Sequence, residues 1–427
     1  MSQQHTEYWV IHNKKYDMSD FIKYHPGGEH TIILGKGRDC TELFENTHCM
    51  CDKEKINKIL EEYYVDISYN NSKFDWSNNP IYREIMSEVK LSFENKNYKA
   101  DSSLIIKIIF LILLWSIFYY FGITNYNFLS LFLAGVMWTC IGFCIMHDGS
   151  HSALSKNVLV NWLPMMIWNN MSLWNHTAWM LHHVYGHHGY TGIGDLDPDL
   201  NYNIVVKSED QKIKEYGSMY KYQHYYSWII LFFLPNQSLS VALNYRFFDK
   251  IFGLEWLDLN TYQKTYVNCL NSISLFLSFG IPIYVHGSIY RAIVSNIINF
   301  TGVGLSFYLI VLPNHDSIVV NTNLETMKTD NPHMLKDWSV QQIVSSANFS
   351  NTDSMHDKVM TYLLGGMNYQ IEHHLFPTIC HIHYPRLSLI VKKICAKYNI
   401  PYVVRRNIFD CIKEHYLLLK KFSVLTD

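Results

Sequence analysis

Charged residues are scarce in this chain, and their scarcity excludes some classes of protein. Asp, Glu, Lys and Arg make up 17% of the 427 residues, against about 25% in a typical soluble protein. The formal net charge is -2 and no basic run stands out, so the composition does not support nucleic-acid binding. The 9 Cys are odd in number and lack framework-like spacing, which predicts free thiols in a reducing compartment. Residues 1–8 are polar, so no cleavable signal peptide is expected.

Apolar residues are abundant and concentrated in long runs. Hydrophobic residues make up 48% of the chain and aromatic residues 15%, as expected for a protein with much of its surface in or near lipid. Residues 1–95 are mixed and polar, as in a soluble domain. A helix needs about 20 apolar residues to cross a bilayer. We therefore predict four membrane-spanning helices, at about residues 104–123, 128–146, 266–285 and 292–312.

One further apolar run, residues 228–243, is short and broken by Pro235. We interpret it as interfacial or re-entrant, and a parity argument supports this. Histidine-rich segments lie at residues 147–188 and 370–374. Two spans between them leave both segments on the same side of the membrane, as a shared metal site requires, whereas three spans would separate them.

Two histidines in the polar N-terminal part have the spacing of a paired haem site. His25 opens a Pro-Gly-Gly turn that permits close backbone approach to a flat ligand. His48 lies 23 residues further on, at the end of a helix for which Asp39 is a plausible N-cap. The two imidazoles could reach a haem iron from opposite sides, with Phe21 and Phe44 lining the pocket.

Three clusters of histidine follow the apolar runs, and we call them the first, second and third box. On a helix, residues four apart share one face, whereas adjacent residues diverge by about 100°. His147 and His151 therefore suit one metal, and His187 and His188 suit two different metals. The boxes contain His147 and His151; His183, His187 and His188; and Gln370, His373 and His374. Seven His and one Gln exceed the needs of one tetrahedral ion and fit two ions.

These motifs resemble two known families. The His-Pro-Gly-Gly turn and the pattern leading to His48 are similar to cytochrome b5 over residues 5–70, with Cys40 where Ala is usual. The three boxes resemble those of membrane fatty acid desaturases. Gln370 in the first position of the third box, together with the fused haem domain, resembles the front-end desaturases. Details around the boxes resemble delta-5 more than delta-6 enzymes.

The resemblance implies a fold, a set of cofactors and a location. It implies an α+β cytochrome b5-like haem domain (residues 1–75), a linker (76–100) and an all-α membrane domain (101–427) with four transmembrane helices and a cytosolic His-rich diiron cap. It implies haem b, two non-haem Fe ions and O2. Electrons would come from an NAD(P)H-dependent cytochrome b5 reductase. The expected location is the endoplasmic reticulum membrane, with both termini and the active site cytosolic.

The implied activity is insertion of a cis double bond into a polyunsaturated fatty acyl chain, between an existing double bond and the carboxyl end. Gln370 holds a catalytic position. His315, which follows the fourth run, is expected to be a metal ligand outside the boxes. His182, His381 and His383 are interpreted as supporting or structural residues. The acidic neighbours Asp148 and Glu372 are expected either to orient imidazoles or to be solvated.

Four alternatives remain open on the sequence. A delta-6 acyl desaturase and a sphingoid long-chain-base desaturase share the fused haem domain and the Gln box. A fatty acid hydroxylase also carries the fusion, although its histidine spacing differs, and its product would be a hydroxyl group. A membrane-anchored electron carrier with structural histidines would contain haem iron alone. The sequence predicts no nucleic-acid partner.

Overall fold

A computed structural model describes residues 7–68, 72–200, 205–209, 211, 218–230, 250–251, 254–255, 261–352 and 354–423. The N-terminal part is a small α+β domain. Its antiparallel sheet has the order β1-β2-β3, with Trp9 opposite Tyr16 and Lys14 opposite Ile67. The strands are β1 (Trp9–Ile11), β2 (Lys14–Tyr16) and β3 (Tyr64–Ile67), and the helices are Glu29–Ile32, Thr41–Thr47 and Lys53–Glu62.

The β1–β2 hairpin has a two-residue turn at His12 and Asn13, both with positive φ (49° and 59°). Such a turn matches the right-handed twist of the flanking strands, and Asn tolerates the left-handed conformation it requires. Trp9, Tyr16 and Leu34 form the buried base of the domain.

Among the residues that the structure describes, four helices are long and apolar enough to cross a membrane: Ser102–Thr124, Phe128–Ser150, Thr261–His286 and Ile289–Asp330. We call them the first to fourth apolar helices, and each contains one predicted span, so the prediction of four is confirmed. The first two start at side-chain caps, where Asp101 accepts from the Ser103 N–H and Asn127 accepts from the Ser130 N–H.

The second and fourth apolar helices touch backbone to backbone. A Cβ at Gly135 would lie 2.1 Å from the Asn299 carbonyl oxygen, and a Cβ at Gly302 would lie 2.2 Å from the Phe132 carbonyl oxygen. Small residues at such a crossing allow the close packing that holds helices together in lipid. The crossing carries the first box, at the end of the second apolar helix, close to His315 on the fourth.

A helical body joins these helices at the end that carries the boxes. Its main helices are Pro80–Ser92, Val158–Met171, Trp338–Val344, Met355–Leu363, Gln370–Leu375, Tyr384–Tyr398 and Ile408–Ser423. Two strand pairs complete the described residues: β4 (Lys250–Ile251) with β5 (Leu254–Glu255), antiparallel, and β6 (Asn348–Phe349) with β7 (Val404–Arg405), parallel.

The segment predicted as a linker contributes to this body. Helix Pro80–Ser92 buries Ile85 and Val89 completely, in the same apolar cluster as Trp338 and Tyr384. The apolar run predicted to be interfacial or re-entrant, residues 228–243, lies outside the described residues from position 231 onward.

Candidate metal centre and haem site

The three boxes and His315 converge in the structure. The first cluster contains His147, His151, His183 and His373, and the second cluster contains His187, His315 and His374. Within each cluster, the ligand nitrogens lie within 4.8 Å of one another. His188 lies between them and groups with His373 and His374. The structure thus places His147 and His151 in one group and His187 and His188 in different groups.

The first cluster presents imidazole nitrogens to one buried point. Nε2 of His147 and Nε2 of His183 lie 3.0 Å apart, and the ring centroids of His147 and His373 lie 4.2 Å apart. Both nitrogens of His151 and Nε2 of His373 are buried without a hydrogen-bond partner among the described residues. Buried polar atoms almost always have a hydrogen-bond partner. These unpartnered nitrogens are therefore suited to bind a metal ion.

The second cluster also contains buried imidazole nitrogens that face one another without a proton between them. Nδ1 of His315 donates to the Ser345 carbonyl oxygen at 2.9 Å, and Nδ1 of His374 donates to Oε1 of Gln342 at 2.9 Å. Both Nε2 atoms therefore carry lone pairs, yet they lie 3.1 Å apart. Two ligands at right angles on one ion, each bonded at about 2.1 Å, would be about 3 Å apart. A cation between them removes the repulsion.

Gln370 completes the second cluster. Its Nε2 lies 3.0 Å from Nε2 of His315 and 3.2 Å from Nε2 of His374, and its Oε1 is buried without a partner among the described residues. The two amide atoms are nearly indistinguishable by shape. A rotated amide would point Oε1 at the space between the imidazoles, where a metal ion would accept it as a ligand.

For five of these histidines, burial favours the neutral imidazole that coordination requires. Desolvation lowers the pKa well below its ordinary value for His151, His183, His188, His373 and His374. Imidazole suits Fe, Zn, Cu and Ni. The residues present therefore fit two metal ions, one at each cluster.

The N-terminal domain brings His25 and His48 together, with ring centroids 6.0 Å apart and ring planes inclined at 70°. Nδ1 of His25 lies 3.2 Å from the Gly28 carbonyl oxygen, and Nδ1 of His48 lies 2.8 Å from that of Phe44. A carbonyl only accepts, so Nδ1 carries the proton and Nε2 is left to bind iron. Phe21 and Phe44 flank the two rings. These two imidazoles would hold the iron of a haem, which would supply one-electron transfer there.

An apolar cavity of about 270 Å³ leads from the metal clusters between the apolar helices. His147, His183, His187 and Gln370 line one end. Trp138 lies nine residues before His147, or about 13 Å further into the membrane on a helix. There the rings of Trp115, Trp138 and Trp168 pack in a row, with centroids 5.4 Å and 5.9 Å apart. The shape suits a long apolar chain held beside the metals.

Comparison with known proteins agrees with this site. The Fatty acid desaturase family model matches residues 122–406, and the model of the Cytochrome b5-like Heme/Steroid binding domain matches residues 2–66. The chain belongs to the fatty acid desaturase family. The resemblance read from the motifs is confirmed, and this desaturase is an oxidoreductase that acts on acyl chains with O2 and carries a fused cytochrome b5-like domain.

The desaturase has curated relatives over nearly its whole length. It is 27% identical over 433 residues to the "Probable Delta(5) fatty acid desaturase C" of Dictyostelium discoideum, covering 95% of this chain and 90% of the relative. It is 28% identical to the "Delta(5) fatty acid desaturase A" of the same organism, covering 97% and 90%. It is also 28% identical to the "sn-1 linoleoyl-lipid 6-desaturase" of Arthrospira platensis, covering 67% and 75%.

Two carboxylates that the sequence did not assign a role orient a histidine of the desaturase. Nδ1 of His187 lies 3.1 Å from Asp197 and 3.3 Å from Asp199. Burial opposes the charged form, but the two carboxylates raise the pKa of His187 to about 9. They accept a hydrogen bond from Nδ1 and so orient the ring, and an ion at the second cluster would replace the proton that the raised pKa keeps on Nε2 at neutral pH. His182 donates to Asp199 at 2.7 Å, in the supporting role predicted for it.

The acidic neighbours of the boxes have other partners. Glu372 accepts from Asn348 and from the Tyr402 hydroxyl. It is fully buried, so it is not a solvated acid. Because desolvation outweighs these bonds, the pKa of Glu372 rises to about 7. Asp148 accepts from Nδ1 of His381, not from a box histidine.

Asp148 belongs to a buried chain of polar contacts that we call the Lys107 network. Nζ of Lys107, on the first apolar helix, lies 3.0 Å from Nε2 of His381, and Nδ1 of His381 lies 2.7 Å from Asp148. Sγ of Cys380 also donates to Asp148, at 3.1 Å. The network ties the first apolar helix and the segment after the third box to the residue next to His147.

Proposed function

We propose that this desaturase is a front-end enzyme that introduces a cis double bond at the delta-5 position of a polyunsaturated acyl chain. The observation that carries the proposal is the position of the two histidine clusters at the end of a long apolar cavity. An unactivated pair of methylene carbons carries no polar group that the protein could bind. The cavity must therefore select the pair by the length of acyl chain that it accommodates. The metal ligands proposed are His147, His151, His183, His187, His188, His315, His373 and His374.

The chain's own residues hold and protect the reaction. When bound, two iron ions at the clusters would activate O2 to take two hydrogens from the acyl chain. With two electrons and two protons, those hydrogens reduce O2 to two waters, while the –CH2–CH2– unit becomes –CH=CH–. The neutral imidazoles hold the metals, and the aromatic walls of the cavity exclude water from the reacting carbons. Gln370 lies at the cavity end and faces both the second cluster and the substrate space.

Haem b held by His25 and His48 is the proposed source of electrons, supplied by an NAD(P)H-dependent reductase. Such a reductase is cytosolic, so the haem domain and all three boxes are proposed to face the cytosol. The four apolar helices fit this arrangement, since an even number of spans returns the chain to the side where it started. The proposed location is the endoplasmic reticulum membrane.

The position of the double bond rests on the relatives and on the motif details. Two of the Dictyostelium relatives are named delta-5 enzymes, which favours delta-5. The Arthrospira relative is named a 6-desaturase, which makes delta-6 the second candidate. The distances within the site do not indicate how many carbons separate the new double bond from the carboxyl end.

Expression in a yeast that lacks polyunsaturated fatty acids tests the proposal. The cells are fed a panel of acyl chains that differ in length and in the position of existing double bonds. We expect new double bonds at delta-5, located by mass spectrometry, and none in cells that express His373→Ala. New double bonds at delta-6 would select the second candidate, and a hydroxylated product would overturn desaturation.

A further inference from the structure

The helix that ends at the haem ligand His48 packs directly on the second box. The hydroxyl of Tyr190, two residues after His188, donates to Oε2 of Glu42 at 2.9 Å. The hydroxyl of Tyr185, two residues before His187, donates to the Asp39 carbonyl oxygen at 2.9 Å. The segment that carries two metal-site histidines is therefore hydrogen-bonded at both ends to the haem domain.

The other haem ligand also lies on a loop that touches the membrane domain. A Cβ at Gly28 would lie 2.6 Å from Cγ1 of Val158, so the His25 turn presses against helix Val158–Met171. The ring of His30 lies 5.7 Å from that of Trp162 on the same helix. Both segments that bring a haem ligand thus face the domain that carries the metal clusters.

These contacts lie on separate elements of the haem domain. They therefore restrain its rotation relative to the membrane domain as well as its distance. A further contact joins Cys49, next to His48, to Thr378 beyond the third box, with Sγ and Oγ1 3.5 Å apart. Glu42 is 2% exposed. A carboxylate hidden from water needs its hydrogen bond, because an unpaired one would pay the full desolvation cost. The Glu42–Tyr190 bond is therefore specific to one orientation of the two domains.

We propose that the haem domain is a docked electron donor in one fixed orientation, and that Glu42, Tyr185 and Tyr190 are the positioning residues that hold it. This inference rests on the proposed function. With haem and iron bound, each transfer would oxidise ferrous haem to ferric haem and reduce the metal centre by one electron. The contacts place the donor against the second box for every transfer, so the two electrons follow one route without a diffusive search.

A double-mutant cycle tests the proposal on the full chain. The variants are Glu42→Leu, which removes the acceptor, Tyr190→Phe, which removes the donor, and the double variant. Tyr64→Phe, at an exposed tyrosine of the haem domain, is the matched control. Two measurements are made: hydrogen exchange of the amides in residues 41–47 and 185–190, and the first-order reoxidation of reduced haem on mixing with O2 and an accepted acyl substrate. Haem absorbance and non-haem iron content are recorded for each variant.

We expect each single variant to raise the opening equilibrium of the interface about tenfold, as for loss of a hydrogen bond to a charged group. Haem reoxidation should slow, and the double variant should be no worse than the worse single variant, because both remove one contact. Tyr64→Phe should match wild type. Added soluble cytochrome b5 should restore product formation in the variants without changing their amide exchange.

Unchanged exchange, unchanged reoxidation or fully additive effects in chains that retain haem and iron would overturn the docked donor. Failure of the proposed function looks different. In that case the wild-type chain itself would show no substrate-triggered haem reoxidation and no desaturated product, while the exchange measurements would still report whether the domains are docked.

Discussion

Replacing Gln370 with Ala tests the second cluster at its non-imidazole member. The amide lies 3.0 Å from Nε2 of His315 and 3.2 Å from Nε2 of His374. Its removal leaves those two lone pairs facing an empty space. Any ion held there would lose a ligand or a partner that orients its ligands, while the backbone of helix Gln370–Leu375 keeps its hydrogen bonds.

The expected loss follows from the role of such partners. Removing one typically lowers metal affinity or activity about 10–100-fold, which corresponds to about 1.4–2.7 kcal/mol. We therefore expect Gln370→Ala to be severely impaired but measurable. Gln370→His supplies an imidazole nitrogen on a bulkier side chain and should be partly active at best. His373→Ala removes an imidazole outright and should be inactive.

The assay measures non-haem iron per chain under increasing chelator concentration, together with product yield from the accepted acyl substrate. The exposed His333 provides the matched control, because His333→Ala removes an imidazole far from any described contact of the clusters. The haem band should be normal in every variant. Wild-type turnover and full iron in Gln370→Ala would show that Gln370 has no part in the site.

Three further outcomes are expected. His25→Ala should abolish the haem band and product formation, with product restored by added cytochrome b5; a normal bis-imidazole spectrum would contradict the axial pair. Asn125→Cys, in a chain with the exposed Cys51 and Cys269 changed to Ser, should react with an impermeant thiol reagent only from the lumenal side of sealed vesicles; labelling from the cytosol would contradict the four-span topology. Trp115→Leu should widen the far end of the cavity and shift the preference towards longer acyl chains by about tenfold per methylene; an unchanged chain-length profile in the feeding panel would remove this wall from substrate selection.

The membrane spans and the haem-binding histidine pair could be predicted from the sequence because each depends on a local pattern. An uncharged run such as residues 128–146 needs no tertiary information to be assigned to a membrane helix. The same holds for His25 in its glycine turn and His48 at a helix end. The predicted cap was wrong by one residue: Asp39 accepts from the Thr41 N–H, but the N-cap position is Cys40, whose side chain makes no capping bond.

The division of the box histidines between two clusters could be predicted from the sequence only in part. His147 and His151 are four apart and share a cluster, but His183 and His187, also four apart, belong to different clusters. Residues Met180–His187 form a π-helix, in which each turn holds an additional residue and the faces shift. No spacing in the sequence distinguishes such a turn from an ordinary helix.

The residues that hydrogen-bond to the cluster histidines and orient them could be predicted least from the sequence. Ser345 and Gln342 bind His315 and His374 from helix Trp338–Val344 and its end, and only tertiary packing brings them there. The pair Asp197 and Asp199 carried a signal, two acids about ten residues after His187 on either side of a proline, but the pattern alone gave them no role.

The Lys107 network has a consequence for how the protein is made. Lys107 enters the membrane early in synthesis, within the first apolar helix, and its partner His381 is separated from it by 274 residues. A lysine near the centre of an inserting helix costs about 2.5–3.5 kcal/mol, and less towards the helix end. Lys107 lies near the start of its helix and also contacts Cys144 within the same hairpin, which lowers this cost. The chain must nevertheless be complete to residue 381 before the Lys107 network can close.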